Sequence, residues 1–182
     1  LVSQDVSVDN NFGNYQLADK SGFKFHDKDG DGVWDSGEPG LGGWTIEYTG
    51  TDGKGNQLSG SAITASDGSY SFSLPPGTYT FSEVLQTDWY QSWPEGTGTI
   101  TETLVSQDVS VDNNFGNYQL ATKSGNKFYD ANYNGEWDTG EQGLGGWTIY
   151  AVGADGKGNP VDLSTTTDSS GYYEFNLVPG TY

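Results

Sequence analysis

The sequence predicts an all-β fold in which β-sandwich domains follow one another in tandem. Short runs rich in aromatic and β-branched residues alternate with Gly, Pro and Asn turns, and no run has helical periodicity. Residues 1–18 recur unchanged as residues 104–121, and residues 19–79 align with residues 122–182 without a gap. The offset of 103 residues between the copies is the length of a domain rather than of a solenoid unit, which indicates a tandem array.

The repeat divides the chain into three parts. Residues 1–18 are predicted to be the final strand of a preceding repeat, and residues 19–121 a complete β-sandwich repeat. Residues 122–182 form a second repeat that stops before the counterparts of residues 80–118. Either the chain is an excerpt of a longer tandem protein, or its incomplete ends exchange strands between molecules. The excerpt is favoured, because the strand of residues 1–18 could replace only part of what the second repeat lacks.

Within the complete repeat, short strands are predicted in order between Gly- and Pro-containing turns: residues 22–26, 43–49, 60–65, 69–73, 78–85, 98–103 and 105–117. Side chains alternate between the two faces of a strand, so apolar residues two apart mark the face toward the core. The predicted core-face residues are Phe81, Glu83 and Leu85 on one strand and Val109, Val111, Phe115 and Asn117 on the last. Glu83 and Asn117 are polar residues in phase with a core face, and they therefore need a partner there.

Two twelve-residue acidic loops have the spacing of a Ca²⁺ site, D-x-[DN]-x-[DN]-G-x5-E. Oxygen atoms at positions 1, 3, 5, 9 and 12, with the main-chain carbonyl at position 7, can surround a hard cation. An ordinary Asp/Asn/Gly turn is the simpler interpretation, but two copies with every ligand position filled favour calcium. The predicted ligands are Asp27, Asp29, Asp31, Val33, Asp35 and Glu38 in the first loop and Asp130, Asn132, Asn134, Glu136, Asp138 and Glu141 in the second.

The segments that flank both loops are strand-like rather than helical. Phe23-Lys-Phe25 precedes the first loop, and a Gly-Leu-Gly-Gly-Trp-Thr-Ile run follows each loop. Calcium sensing by the opening of a helix pair is therefore not expected. The sequence favours a structural ion held between two strands.

Composition excludes several classes of function. A net charge of −18, from 25 acidic and 7 basic residues, argues against binding to nucleic acid or to an anionic membrane surface. No stretch is apolar enough to span a bilayer, so membrane insertion is not expected. Cys is absent, and a domain without disulfides that binds calcium suits an extracellular, calcium-rich setting. The lone His26 is not repeated, which leaves Ser-His-Asp and Cys-His catalysis without support and predicts a non-enzymatic protein.

Several motifs together resemble a known family. They are G-x-K-F-x-D, D-x-G-E-x-G-L-x-G-W-T-I, D-x-x-G-x-Y-x-F, P-G-T-Y-x-x-x-E and F-G-N-Y. The chain resembles the calcium-binding B domains of serine–aspartate-repeat adhesins, relatives of the Cna B-type domains of prokaryotic surface proteins. The resemblance implies an immunoglobulin-like (prealbumin-like) sandwich in a stalk or filament at the cell surface. It also implies that the partners are neighbouring repeats of the same protein or filament.

The resemblance further implies a candidate covalent bond, because many Cna B-type domains carry a spontaneous Lys–Asn isopeptide bond assisted by a Glu. By position Lys24, Asn117 and Glu83 match that triad. The chemistry needs a neutral lysine, which burial favours, and a protonated carboxyl that polarises the amide. Lys24 alternates with two Phe residues and is therefore expected to point outward, against the bond. Asn113 and Asn114 are alternative acceptors, and calcium is the competing means of stabilisation.

An adhesive binding module is the alternative function. Trp89, Tyr90 and Trp93 could form an aromatic platform for a glycan or a host protein. Aromatic residues of this kind more often fill the sandwich and its edge, so the structural module is preferred. A third hypothesis, an accessory domain of a secreted polysaccharide hydrolase, would require a catalytic domain elsewhere in the parent chain.

Overall fold

The computed structural model of the chain describes residues 2–6 and 8–182, and all regular secondary structure in them is β-strand. Across these residues no helix is long and apolar enough to cross a membrane. The strands are β1 (Ala18–His26), β2 (Thr45–Asp52), β3 (Gln57–Ile63), β4 (Ser69–Leu74), β5 (Gly77–Glu83), β6 (Tyr90–Trp93), β7 (Ile100–Leu104), β8 (Val109–Ser110), β9 (Phe115–Tyr118), β10 (Ala121–Asn126), β11 (Thr148–Asp155), β12 (Pro160–Thr166), β13 (Tyr172–Leu177) and β14 (Gly180–Thr181).

Strands β1 to β9 form a β-sandwich, which confirms the predicted fold class. One sheet has the order β4-β1-β9-β6, with β8 also paired to β1, and the other has the order β3-β2-β5-β7. Aromatic and aliphatic side chains of both sheets meet between them and supply the apolar burial that stabilises the sandwich. The core residues are Ala18, Ile46, Tyr70, Leu74, Tyr79, Phe81, Leu104 and Phe115.

Strand β1, the first strand of the repeat, lies between β4 and the last strands of the repeat, β8 and β9. It pairs antiparallel with β4 along one edge and parallel with β8 and β9 along the other. The register places Lys20 beside Ser110 and Lys24 beside Phe115. Because β1 is central, side chains on its inner face meet the last strands of the same repeat.

Three strand-level expectations are wrong. The predicted strand 105–117 is broken into β8 and β9, because Asp112 takes a left-handed backbone (φ 59°) that interrupts the pleat. Val109 and Val111, expected on the core face, are consequently 73% and 57% exposed. Leu85 is also exposed, since β5 ends at Glu83 and the alternation stops there. Strand β6 was not predicted, because four residues that include Gln and Ser give a weak strand signal.

Strands β10 to β14 form two further sheets, β10-β13 and β12-β11-β14, around Ala151, Phe175 and Leu177. Residues 2–6 and 8–17 carry no strand. Phe12 is 95% exposed, whereas Phe115, at the same position of the identical segment, is fully buried. The sequence of this segment thus does not determine its burial; the neighbouring strands do. The division into residues 1–18, 19–121 and 122–182 stays a prediction.

Candidate calcium loops and buried triad

The first acidic loop begins where β1 ends, and its base is fixed by main-chain contacts. Phe25 forms a β-bridge with Gly40, which brings the two ends of the loop together. The buried Asp27 carboxylate accepts hydrogen bonds from the N–H groups of Gly30 (2.7 Å) and Gly32 (2.8 Å). Gly32, at position 6, has φ 87°, a left-handed conformation that glycine adopts without strain.

The carboxylates of this loop converge. Oxygen atoms of Asp27, Asp29 and Glu38 lie within 4.8 Å of one another, and so do those of Asp29, Asp31 and Asp35. Burial raises the pKa of Glu38, and the negative charges of Asp27 and Asp29 raise that pKa further, while backbone hydrogen bonds oppose the shift. A hard divalent cation relieves repulsion of this kind, and carboxylate oxygens are its preferred ligands. The residues therefore fit Ca²⁺.

The second loop repeats the arrangement with fewer charges. Asp130 accepts from the N–H of Gly135 (2.8 Å) at position 6, as Asp27 does from Gly32, and its second bond comes from Asn134 (3.1 Å) at position 5 rather than from position 4. The side-chain amides of Asn132 and Asn134 both donate to Oδ2 of Asp138, at 2.7 and 2.8 Å. Val33 and Glu136 stand at position 7, and the N–H of each donates to the side chain at position 5. The second loop thus brings the side chains of Asn132, Asn134 and Asp138 together, with two neutral amides in place of two carboxylates.

Each loop is held onto its strand by a Trp that the sequence analysis missed. Trp34 stacks on Phe25 (5.7 Å between ring centroids) and donates its indole N–H to the Glu38 carbonyl at 3.0 Å. Trp137 stacks on Phe128 (5.8 Å) and donates in the same way to the carbonyl of Glu141. A Trp at position 8 of both loops was the available signal. The loop therefore folds back over the outer face of the strand that precedes it.

The first loop also contacts the β11–β12 turn. A Cβ placed on Gly156 would lie 1.9 Å from the main-chain oxygen of Asp29, so only glycine permits this approach. Lys157 donates to the Ser92 carbonyl at 2.8 Å and pairs with Glu95 at 2.7 Å. The loop that fits calcium is therefore also a contact surface between β1–β9 and the strands that follow.

Lys24, Asn117 and Glu83 meet inside the first sandwich. The Lys24 ammonium, fully buried, donates to Oδ1 of Asn117 at 2.6 Å and to the Phe115 carbonyl at 3.2 Å. Asn117 donates its amide N–H to Oε1 of Glu83 at 2.7 Å. The other carboxylate oxygen, Oε2, lies 3.2 Å from Lys24 Nζ without hydrogen-bond geometry. The amide of Asn117 thus lies between the amine and the carboxyl group.

Burial shifts the pKa values of this triad toward the neutral forms. Desolvation lowers the pKa of Lys24 to about 8, and the nearby Glu83 carboxylate limits the shift. Desolvation raises the pKa of Glu83, opposed by the charge of Lys24 and by the hydrogen bond from Asn117. The Lys24 ammonium also lies 4.4 Å from the centre of the Trp44 ring. A neutral amine and a protonated carboxyl are the forms that attack on an amide carbon requires.

The expectation that Lys24 points outward is wrong. Strand β1 is covered on both faces near this point, so both Lys24 and Phe25 are buried and alternation carries no signal. Phe25 lies under Trp34 of the acidic loop, whereas Lys24 faces the sandwich. The alternative acceptors lie elsewhere: Asn114 Oδ1 accepts from the Phe23 N–H, and Asn113 Oδ1 accepts from Lys20.

Of the three aromatic residues proposed as a ligand platform, Trp89 packs within the domain. Trp89 packs edge-on against His26 (4.9 Å) and Trp44 (5.6 Å). Tyr90 stacks on Tyr118 at 5.6 Å, and Trp93 is 43% exposed. The Trp89 ring is therefore committed to packing within the domain, and the geometry does not favour the binding-module hypothesis.

Two pilins are among the solved structures to which the chain is similar. A shaft pilin SpaA mutant of Lactobacillus rhamnosus GG is 14% identical, with a TM-score of 0.42 over 89% of this chain and 84% of the pilin. A streptococcal ancillary pilin is 13% identical, with a TM-score of 0.43 over 90% of this chain and 51% of that protein. Likeness at this level carries no functional argument.

Sequence relatives give a more specific result. Serine-aspartate repeat-containing protein F of Staphylococcus epidermidis is 31% identical over 92% of this chain and 10% of its own length. Serine-aspartate repeat-containing protein D of Staphylococcus aureus strain Newman is 32% identical over 88% of this chain and 13% of its own length. The chain thus spans about a tenth of these relatives. Residues 21–127 match the model of the SdrD B-like domain. This chain, with its sandwich and paired acidic loops, belongs to the SdrD B-like domain family.

Proposed function

We propose that the chain is an extracellular structural repeat of a tandem-domain surface protein, part of a stalk or filament, stiffened by calcium and by an internal covalent bond. The observation that carries the proposal is the first loop, where five carboxylates converge at the end of β1 while the loop contacts the next set of strands. Calcium supplies positive charge that offsets their repulsion. A bound calcium ion that makes this loop rigid would stiffen both the sandwich and its junction with the following repeat.

The ligands in this proposal are side-chain oxygens and one main-chain carbonyl per loop. Asp27, Asp29, Asp31, Asp35 and Glu38 would hold the first ion with the Val33 carbonyl. The second loop would use the oxygens of its Asp, Asn and Glu side chains, with the amides of the two Asn residues turned so that their oxygens face the ion. Rotation of each side-chain amide exchanges its O and N, and it replaces the hydrogen bonds that Oδ1 of Asn132 and of Asn134 now accepts from main-chain N–H groups.

A melting experiment tests the calcium proposal. Thermal unfolding is followed in excess Ca²⁺, in excess chelator, and in Mg²⁺ as the control for ionic strength. Binding to the native state stabilises it by about 2.7 kcal/mol at a hundredfold excess over Kd, so the midpoint should rise with Ca²⁺. Asp27→Ala and Asp130→Ala should each remove one part of that rise. Equal midpoints in Ca²⁺ and chelator contradict the proposal.

The covalent part of the proposal is an amide bond between Lys24 and Asn117. The neutral Nζ of Lys24 attacks Cγ of Asn117, a C–N bond forms, and the bond from Cγ to Nδ2 breaks. Glu83 donates its proton toward the amide and takes one from the attacking amine, and Nδ2 leaves as ammonia. The bond would join β1 to β9, the first and last strands of the repeat, where a pulling force enters. A stalk under tension needs this connection most.

Intact mass measures this bond directly. The chain should be lighter than its sequence mass by one ammonia for each bond, and Glu83→Ala should return the ammonia that belongs to Lys24. Lys24→Arg is the matched control, since it keeps the charge and removes the nucleophilic amine. A wild-type mass equal to the sequence mass rules out the bond and leaves calcium as the proposed means of stabilisation.

A further inference from the structure

A second lysine–asparagine pair lies on the same face of β1, with its lysine four residues before Lys24. Lys20 is fully buried, and its Nζ lies 2.5 Å from Oδ1 of Asn113 and 2.5 Å from Oε2 of Glu102. The members of each pair are 93 residues apart in the chain, for Lys20 with Asn113 and for Lys24 with Asn117. We propose that Lys20 and Asn113 form a second intramolecular amide cross-link in this repeat.

The surroundings of Lys20 suit a nucleophilic amine. Desolvation lowers its pKa, while the hydrogen bond and the charge of Glu102 oppose the shift. The Nζ atom also lies 4.6 Å from the centre of the Phe81 ring, over the apolar core. The Asn113 side chain is held in place, since its Nδ2 donates to the Ser21 carbonyl at 3.0 Å and to Ser110 Oγ at 2.9 Å. Amine and amide are thus fixed against each other before any reaction.

The interruption between β8 and β9, which the sequence did not predict, turns Asn113 toward Lys20. The left-handed backbone at Asp112 ends the regular pleat after β8, and the Asn113 main chain then passes closely over Gly22. A Cβ on Gly22 would lie 1.9 Å from the Asn113 oxygen. The Tyr70 hydroxyl donates to that same oxygen at 2.5 Å. Asn113 is therefore held in place by its main chain as well as by its side chain.

Proton transfer at this site runs through a serine, which distinguishes it from the Lys24 site. Ser110 Oγ donates to Oε2 of Glu102 at 2.8 Å and accepts from Nδ2 of Asn113. Glu102 takes a proton from the Lys20 ammonium, and the free amine attacks Cγ of Asn113. The attacking nitrogen loses a second proton, and Ser110 relays a proton to Nδ2. The Cγ–Nδ2 bond breaks, and ammonia leaves and takes up the remaining proton. Atoms and charge balance with no added reactant.

Mass spectrometry of the full chain tests the proposal without any substitution. Tryptic digestion should release a cross-linked product in which the peptide that contains Lys20 is joined to the peptide that contains Asn113. Trypsin should not cleave after Lys20, because its amine is then part of an amide. Fragmentation then locates the link at Asn113 or at Asn117. The linked peptide as the main species supports the proposal, and the unlinked Lys20 peptide as the main species overturns it. The Lys24 link is read from its own fragments, so either bond can fail without the other.

Variants give the second measurement. Lys20→Arg and Lys24→Arg should each return one ammonia to the intact mass, and the double variant should have the full sequence mass. A succinimide at Asn134-Gly135 would also cost one ammonia, but no Lys→Arg change would return it. Ser110→Ala should slow formation of the Lys20 link by about a hundredfold, the lower end of what a positioned proton-transfer group contributes. The Lys24 link in the same molecules should form at its normal rate, and equal slowing of both links overturns the relay.

Discussion

Removal of the Glu83 carboxylate should destabilise the first sandwich for two separable reasons. Glu83→Gln keeps the size of the side chain but removes the acid that the Lys24–Asn117 bond needs. The measurement is made in the Lys20→Arg background, which lacks the second proposed link; there the bond would close a loop of 93 residues, and its loss costs about 5 kcal/mol in the chain-entropy model. With the Lys20 link present, the bond closes only a short ring between β1 and the last strands, and its loss costs no more than about 3 kcal/mol. The substitution also leaves the fully buried Lys24 ammonium without its counter-ion, which costs about 3–5 kcal/mol.

The two terms together are comparable with the whole stability of a domain of this size, about 5–15 kcal/mol. Glu83→Gln should therefore be unfolded or close to it at room temperature. The double variant Lys24→Met with Glu83→Gln also lacks the bond but buries no charge, and the glutamine keeps an acceptor for the Asn117 amide. It should lose the loop-closure part and the hydrogen bond from Lys24 to Asn117, about 1–3 kcal/mol, but not the cost of an unpaired buried charge.

Denaturant unfolding at fixed Ca²⁺, together with intact mass, measures both effects. The mass shows which proteins carry the bond, and the difference between Glu83→Gln and the double variant isolates the buried charge. Equal unfolding free energies for these two proteins would refute the buried-charge reasoning. A Glu83→Gln protein that still lacks one ammonia at the Lys24 link would refute the role of the acid.

Three further outcomes are expected. Gly156→Ala should separate the first loop from the β11–β12 turn and increase the radius of gyration, whereas Gly53→Ala, at the matching position of the first repeat, should not, since its Cβ would lie 3.5 Å from the nearest atom. The first calcium site should weaken more steeply with salt than the second, because two Asp ligands of the first are Asn in the second; calorimetric titrations with indistinguishable sites would contradict this. The rate of Lys24–Asn117 bond formation on refolding should be bell-shaped in pH. It should fall above about 8, the lowered pKa of Lys24, as the amine–carboxyl pair loses its shared proton, and fall in acid as a second proton binds; a rate that keeps rising above that pH contradicts the mechanism.

Much of the candidate site could be predicted because its signals are local. Ligand positions, the glycine at position 6 and the strand-like flanks all fall within about twenty residues of sequence, and the first loop brings its predicted carboxylates together. The position of the triad came from resemblance rather than from local pattern. The inward direction of the Lys24 side chain could not be predicted from the sequence, because β1 is buried on both faces around Lys24 and Phe25. The alternation of apolar and polar residues along a strand indicates where its side chains point only if one face of the strand meets water.

The sequence by itself determined the all-β class, the 103-residue repeat and the two loops with calcium spacing, since composition, identity and spacing are properties of the chain. Only the tertiary structure decided which lysine meets which asparagine, because those contacts join residues 93 apart and depend on how β8 and β9 align with β1. The identical segment that contains Phe12 and Phe115 shows the reason, with one ring exposed and the other buried. Burial is a property of the neighbours that a strand finds, and those are specified only by the complete fold.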